Sequence, residues 1–216
     1  MPLVLLIRHG LTEHTGKRLT GWTPGVHLSK VGREQADGLV TRLGDLPVGA
    51  IYSSPLERCM ETAKPLAAAR KLRVRPAKNA GEVRYGDWTG RPLAQLARTK
   101  LWKTVQQNPS NARFPNGESL LEVQERAVGA IESIAATHPK EIVAVFSHGD
   151  PIRLLVAHYA GIHADLFQRL VIAPASVSAI AVTLGNESGV GRPYIIRVND
   201  TGTLSDLAPA RKKGRR

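Results

Sequence analysis

The chain has 216 residues, 42% apolar and 22% charged, which excludes a disordered or collagen-like polymer and allows a real core without staples. Its one cysteine, Cys59, excludes an intrachain disulfide and a cysteine-rich zinc site. Thirty Lys and Arg against 18 Asp and Glu give a net charge of +12, with five of the positive charges in the last six residues. The composition therefore predicts one domain over 1–206 and a basic, disordered tail over 207–216. No run of eighteen apolar residues occurs, and no basic segment precedes the short run Pro2 to Ile7. The expectation is a soluble, cytoplasmic protein with no membrane partner.

In chain order, Leu3 to Ile7 is an unbroken apolar run that reads as a buried strand ending at Arg8-His9-Gly10. Lys30 to Leu43 reads as a helix capped by Ser29, with Val31, Leu39, Val40 and Leu43 as its apolar stripe. Ala50 to Ser53 is a second strand. Ser54-Pro55-Leu56-Glu57 then predicts a helix start with a capping box, Ser54 to Glu57, and proline at the first helical position. Arg73 to Pro76 is a short strand before a Gly-rich loop, Gly81 to Gly90. Pro92 to Gln107 reads as one helix, and Ser119 with Glu122 caps a long one reaching His138, with Ala127, Val128, Ile131, Ile134 and Ala135 on one face. Glu141 to Phe146 is a buried strand ending at Ser147-His148-Gly149, and Asp150-Pro151 starts the next helix as cap and first-turn proline. Val177 to Leu184 and Tyr194 to Val198 complete the strands. The alternation predicts a single α/β domain with a mostly parallel central sheet and helices on both faces.

Three of these strands end in polar residues. In open α/β sheets ligands sit outside the carboxyl ends of strands. If the three are neighbours, His9, His148, Arg8 and Arg58 converge beside the N-terminus of the helix after His148, a place suited to a phosphoryl group.

Five segments also resemble, in order, the motifs of the histidine phosphatase superfamily, which includes the phosphoglycerate mutases. They are Arg8-His9-Gly10 with Thr12, Ser54-Pro55-Leu56-Glu57-Arg58 with Thr62, Glu82 to Gly90, Pro115 to Ser119, and Ser147-His148-Gly149-Asp150. The resemblance runs from Val4 to Val198 and implies the phosphoglycerate mutase-like fold. It implies His9 as nucleophile, Glu82 as general acid and base, and Arg8, Arg58, His148 and the Gly149 N–H as phosphate ligands. Thr15 and Gly21 would join them; Thr15 stands where the family often has asparagine, offering one hydroxyl instead of an amide. Arginine forks supply the charge, so no metal and no cofactor is expected.

The family's mutases need further cations for a second anionic group. Val83, Leu93 and Lys103-Thr104 stand at the corresponding positions, so the resemblance favours a phosphatase acting on small phosphomonoesters. Their insertion and longer C-terminal segment are lacking as well. The alternatives are a phosphomutase on a small phosphorylated metabolite and, more remotely, a non-catalytic anion or nucleic-acid binder. Nucleic acid is not the expected partner, because no aromatic-interleaved basic patch accompanies the charge. A homodimer is compatible with the sequence. Cys59 is expected to be buried and inert, Trp22 and Trp88 to pack against loops, and His14, His27, His138, His158 and His163 to be surface or packing residues. The Gly81–Gly90 loop and the 92–107 stretch are expected to roof the site. Arg84, Arg91, Arg98 and Arg113 are read as solvated.

Overall fold

A computed structural model describes residues 1–182 and 192–202. The apolar runs form a six-stranded sheet in the order β3-β2-β4-β1-β5-β6. Its strands are β1 (Leu3–Arg8), β2 (Val48–Ser53), β3 (Val74–Pro76), β4 (Ile142–Ser147), β5 (Val177–Ala181) and β6 (Tyr194–Asp200). The pairs β1–β4, β2–β4 and β2–β3 are parallel, whereas β5 runs antiparallel to both its neighbours, β1 and β6. Register brings Arg8 opposite Ser147 and Ser53 opposite Phe146. The carboxyl ends of β1, β2 and β4 therefore finish level, along one edge.

Side chains alternate across a strand, so each strand feeds two cores. Leu5, Ile7, Ile51, Ala144 and Phe146 pack with α1 (Lys30–Leu43) and α2 (Glu57–Arg70). Val4, Leu6, Val143 and Val145 pack with α5 (Leu120–Thr137) and α6 (Gly149–Tyr159). Helices thus cover both faces of a single α/β domain. A third cluster, including Val83, Tyr85, Trp88, Leu96, Val105 and Phe114, sits apart from the sheet clusters. It carries α3 (Leu93–Leu96) and α4 (Lys100–Gln107).

Local chemistry accounts for agreements and departures alike. Ser29 caps α1 by accepting from the Gly32 N–H, and Ser119 with Glu122 forms the complete capping box of α5. The predicted box on α2 is absent: its N-cap is Leu56, without a side-chain bond. Ser54 is fully buried and its hydroxyl lies 2.8 Å from His148 Nε2, while Glu57 accepts from the Gly25 N–H at 3.0 Å. Tertiary partners have taken both capping groups. Likewise α6 begins at Gly149 with His148 as N-cap, so Asp150 and Pro151 lie inside its first turn instead of before it. The 92–107 stretch is two helices, because the Thr99 side chain accepts from the Trp102 N–H and starts a new helix there. β5 ends at Ala181, with Val182 buried just beyond it, while positions 183–184 of the predicted run and the 207–216 tail lie outside the described residues.

On α1 the buried positions are Gly32, Ala36, Leu39 and Leu43, and Val31 is exposed. Glycine at 32 is a packing requirement. A Cβ there would run into the Leu11 carbonyl, and one at Gly10 would lie 2.6 Å from the Gly32 carbonyl. The helix thus presses directly on the loop that carries His9. Gly32→Ala is expected to cost about 1–3 kcal/mol, the usual range for overpacking, read from the urea midpoint at unchanged m-value.

Candidate active site

His9 follows the last residue of β1 and is 6% exposed. Its Nδ1 lies 2.8 Å from the Gly10 carbonyl. A carbonyl only accepts, so Nδ1 carries the proton and Nε2 keeps its lone pair. Burial, then the charges of Arg58 and Arg8, push the imidazole pKa down to about 3, so the ring is neutral across the physiological range.

Arg58, in the first turn of α2, is buried. One of its terminal nitrogens donates to the Gly21 carbonyl at 2.8 Å and lies 3.1 Å from His148 Nδ1. Arg8 donates to the Ile172 carbonyl at 2.5 Å. Nε of Arg8, and Nε and Nη1 of Arg58, are buried without a protein partner. Buried guanidinium N–H groups left unpaired are costly, and an anion answers them.

The His148 ring is fully buried, its centroid 5.2 Å from that of His9 at an interplanar angle of 64°. Since Arg58 only donates, His148 Nδ1 accepts from it, and the Nε2–H donates to Ser54 Oγ. Burial first, then Arg58, holds its pKa well below the usual imidazole value. Cys59 packs beside this ring, Sγ 3.4 Å from Nε2. It is buried, as the sequence led us to expect, and burial pushes its thiol pKa up to about 12, which disfavours the thiolate.

Glu82 enters from the Gly-rich loop. Its Oε1 accepts from the Val83 N–H at 3.0 Å, and Oε2 stands 3.7 Å from His148 Nδ1. Burial, then the Asp150 charge, raises its pKa to about 7, against the opposing pull of Arg58 and Arg8. The loop is fastened by a residue that sequence reasoning missed. Arg126, on α5, donates to the carbonyls of Asn79, Gly81 and Glu82 at 2.7, 2.9 and 2.8 Å. It also grips both carboxylate oxygens of Glu118, at 2.8 and 2.9 Å. Trp22 Nε1 adds a bond to the Glu82 carbonyl at 2.6 Å, and Arg84 stacks over the Trp22 ring while pairing with Glu118. No signal in the sequence pointed to it, because Glu118 and the three carbonyls lie outside the helix that carries Arg126. Arg126→Met is expected to unfasten the loop, lowering kcat on alkyl phosphates by about tenfold or more while inhibition by inorganic phosphate stays near wild type.

The site opens into a cavity of about 390 Å³. Arg8, His9, Glu82 and Gly149 line its inner end; Arg58 and His148 do not line it and stand in the wall behind. Gly149 packs against the Arg8 guanidinium, since a Cβ there would lie 3.4 Å from its central carbon. Thr15 and Gly21 both line the cavity, although Thr15 Oγ1 is 3.0 Å from Thr12 Oγ1, and Gly21 offers its carbonyl to Arg58. His14, expected to be a surface or packing residue, is exposed but lines the same cavity. The expected roof is present: Tyr85, Leu93, Trp102, Val105 and Gln106 all line the cavity. Arg84 and Arg113 are used in ion pairs with Glu118 and Glu122, and Arg91 meets Gln95. Trp88 is buried in the third cluster, and His138 is buried against Tyr52. Among the described residues no group of three or more His, Cys, Asp or Glu side chains is placed to hold a metal ion, and no helix is long and apolar enough to cross a membrane.

Residues 4–192 match the histidine phosphatase superfamily, branch 1. The chain belongs to that superfamily. Among histidine phosphatases it is similar to phosphoserine phosphatase 1 of Hydrogenobacter thermophilus, at 28% identity over 190 residues, covering 83% of this chain and 86% of that one. It is also similar to phosphoglycerate mutase-like protein 4 of Arabidopsis thaliana, at 31% identity over 157 residues, with 70% and 68% covered. The solved structure of a mycobacterial glucosyl-3-phosphoglycerate phosphatase superposes with a TM-score of 0.81 at 25% identity, covering 92% of this chain and 99% of that one. Relatives in this superfamily therefore carry both phosphatase and mutase names.

Proposed function

We propose that the chain is a phosphomonoesterase that hydrolyses small phosphorylated metabolites through a phosphohistidine on His9, without a metal ion. The observation that carries this reading is the free Nε2 lone pair of a neutral His9 beside two guanidinium groups whose buried N–H groups lack partners. Nε2 attacks phosphorus as the ester P–O bond breaks, and the leaving oxygen takes the Glu82 proton. Water then attacks phosphorus, its proton returns to Glu82, and the P–N bond breaks to release inorganic phosphate and neutral His9. Arg8 and Arg58 neutralise the equatorial oxygens, and the first turn of α6 at Gly149 contributes N–H donors. His148, whose Nε2–H is given to Ser54 and whose Nδ1 accepts from Arg58, orients that guanidinium until substrate draws it in.

Hydrolysis is favoured over phosphoryl exchange by what surrounds the second half of the cavity. Val83 is buried in the third cluster, Leu93 presents an apolar side chain to the cavity, and Lys103 is exposed outside its lining. None of these three positions offers a second anionic group a cation in the cavity lining. The phosphatase names of two relatives agree with this reading. The test is phosphate release from p-nitrophenyl phosphate and a panel of phosphorylated metabolites, with and without a chelator. Release unaffected by chelator is expected; activity abolished by it, or exchange without net release, would reject the proposal.

A further inference from the structure

The outer half of the cavity has a composition that names a leaving group. Resting on the phosphomonoesterase reading, we propose that it takes a neutral polyhydroxylated carbon skeleton with an apolar face, as in a sugar or alditol phosphate, and that Asp150 selects this class against carboxylate-bearing phosphoesters.

One wall is apolar: Leu93, Trp102, Val105 and Phe114. Such a surface suits the C–H face of a sugar-like skeleton, which buries apolar area without giving up hydroxyl contacts. Two of the polar side chains lining the cavity, Asp150 and Gln168, are held as acceptors. Asp150, in the first turn of α6, is held from two sides. Its Oδ2 accepts from the Tyr85 hydroxyl at 2.9 Å and its Oδ1 from Arg153 at 3.0 Å. An ionised carboxylate has about four acceptor sites, so two remain for hydroxyl donors of a ligand. Gln168 also lines the cavity, and its amide nitrogen is given to the Val105 carbonyl at 2.9 Å, which leaves the side-chain oxygen to accept.

The cation beside Asp150 has its charge balanced there. Arg153 spends one donor on Asp150 and another on the Leu170 carbonyl at 2.9 Å. Arg18 lines the cavity too, but it is exposed and donates to the Gly90 carbonyl at 3.0 Å, where solvent and salt screen it. A carboxylate on the leaving group would therefore meet the Arg153–Asp150 pair, whose charges offset each other at 3.0 Å, and not a free cation. Like charges at close range discriminate more sharply than a missing contact.

The test compares glucitol 6-phosphate with 6-phosphogluconate, which share chain length and scissile bond and differ at the far terminus, hydroxymethyl against carboxylate. Wild-type kcat/KM is expected to favour the alditol ester by about tenfold or more, and Asp150→Asn to shrink that ratio severalfold. Because the scissile bond is common to both esters, any change at Glu82 cancels in the ratio. Trp102→Ala, at a half-buried position, is expected to lower kcat/KM for glucitol 6-phosphate relative to methyl phosphate, which is too small to reach the apolar wall. Equal or better use of 6-phosphogluconate by the wild type, or an unchanged ratio in Asp150→Asn, would overturn the inference. No turnover of any ester, p-nitrophenyl phosphate included, would instead overturn the phosphomonoesterase reading beneath it.

Discussion

His9→Ala is expected to abolish phosphate release from every monoester, by about four orders of magnitude or more, the scale for removal of a covalent nucleophile. The effect is chemical and not structural. Among the described residues the ring has one hydrogen bond, the local one to the Gly10 carbonyl, so its loss is expected to leave the sheet and both cores intact. Far-UV circular dichroism and the thermal midpoint should stay close to wild type while the colorimetric phosphate assay falls to background. Inorganic phosphate should still bind, because Arg8 and Arg58 keep their unpaired donors. A variant retaining more than about one part in a hundred of the activity would mean that another group attacks phosphorus.

Glu82→Gln separates substrates by their leaving groups. An alkoxide must be protonated as it departs, so loss of the acid is expected to cost about 10²–10⁴ in kcat on alkyl phosphates. p-Nitrophenolate needs no proton, so its phosphorylation step should fall less than about tenfold. The pH profile carries the same signature. Burial and Asp150 hold the Glu82 pKa up at about 7, so the free enzyme keeps its acid protonated below neutrality and loses it above. Accordingly kcat/KM for an alkyl phosphate should fall as pH rises through about 7 in the wild type, and that limb should vanish in Glu82→Gln. The nucleophile sets no limb in the same range, because the His9 pKa lies near 3. Equal losses on both substrate types would assign Glu82 to binding instead of proton transfer.

The parts of this protein legible in the sequence are those where one local rule acts without competition. Leu3 to Ile7 and Ile142 to Phe146 are apolar on every residue, and they belong to the two strands at the centre of the sheet, covered from both sides. The capping box at Ser119 is surface-exposed, so nothing rivals the backbone for its serine. At Ser54 the same motif fails because the hydroxyl is buried against His148, a partner 94 residues away. Chain order placed His9, Arg8, Arg58 and His148 in one neighbourhood, where the level ends of β1, β2 and β4 bring them, whereas Glu82 was signalled by the resemblance alone and arrives from the loop after β3. Arg126 and Asp150 were not legible as parts of the site. Each works through long-range partners, three loop carbonyls in one case and Tyr85 in the other, and neither partnership leaves a periodic trace in the chain. The split at Thr99 was hidden for the opposite reason: threonine is tolerated within helices, and only its own side-chain bond to the Trp102 N–H turns it into a start.

The covalent intermediate is the most direct point of attack on the account. Wild-type enzyme mixed with a labelled phosphomonoester, quenched in alkali within one turnover and digested for mass spectrometry, should carry one phosphoryl group on the imidazole of His9, stable to base and lost in acid. Phosphoryl label on a different side chain, or full turnover with no labelled peptide at any quench time while His9→Ala remains active, would contradict it.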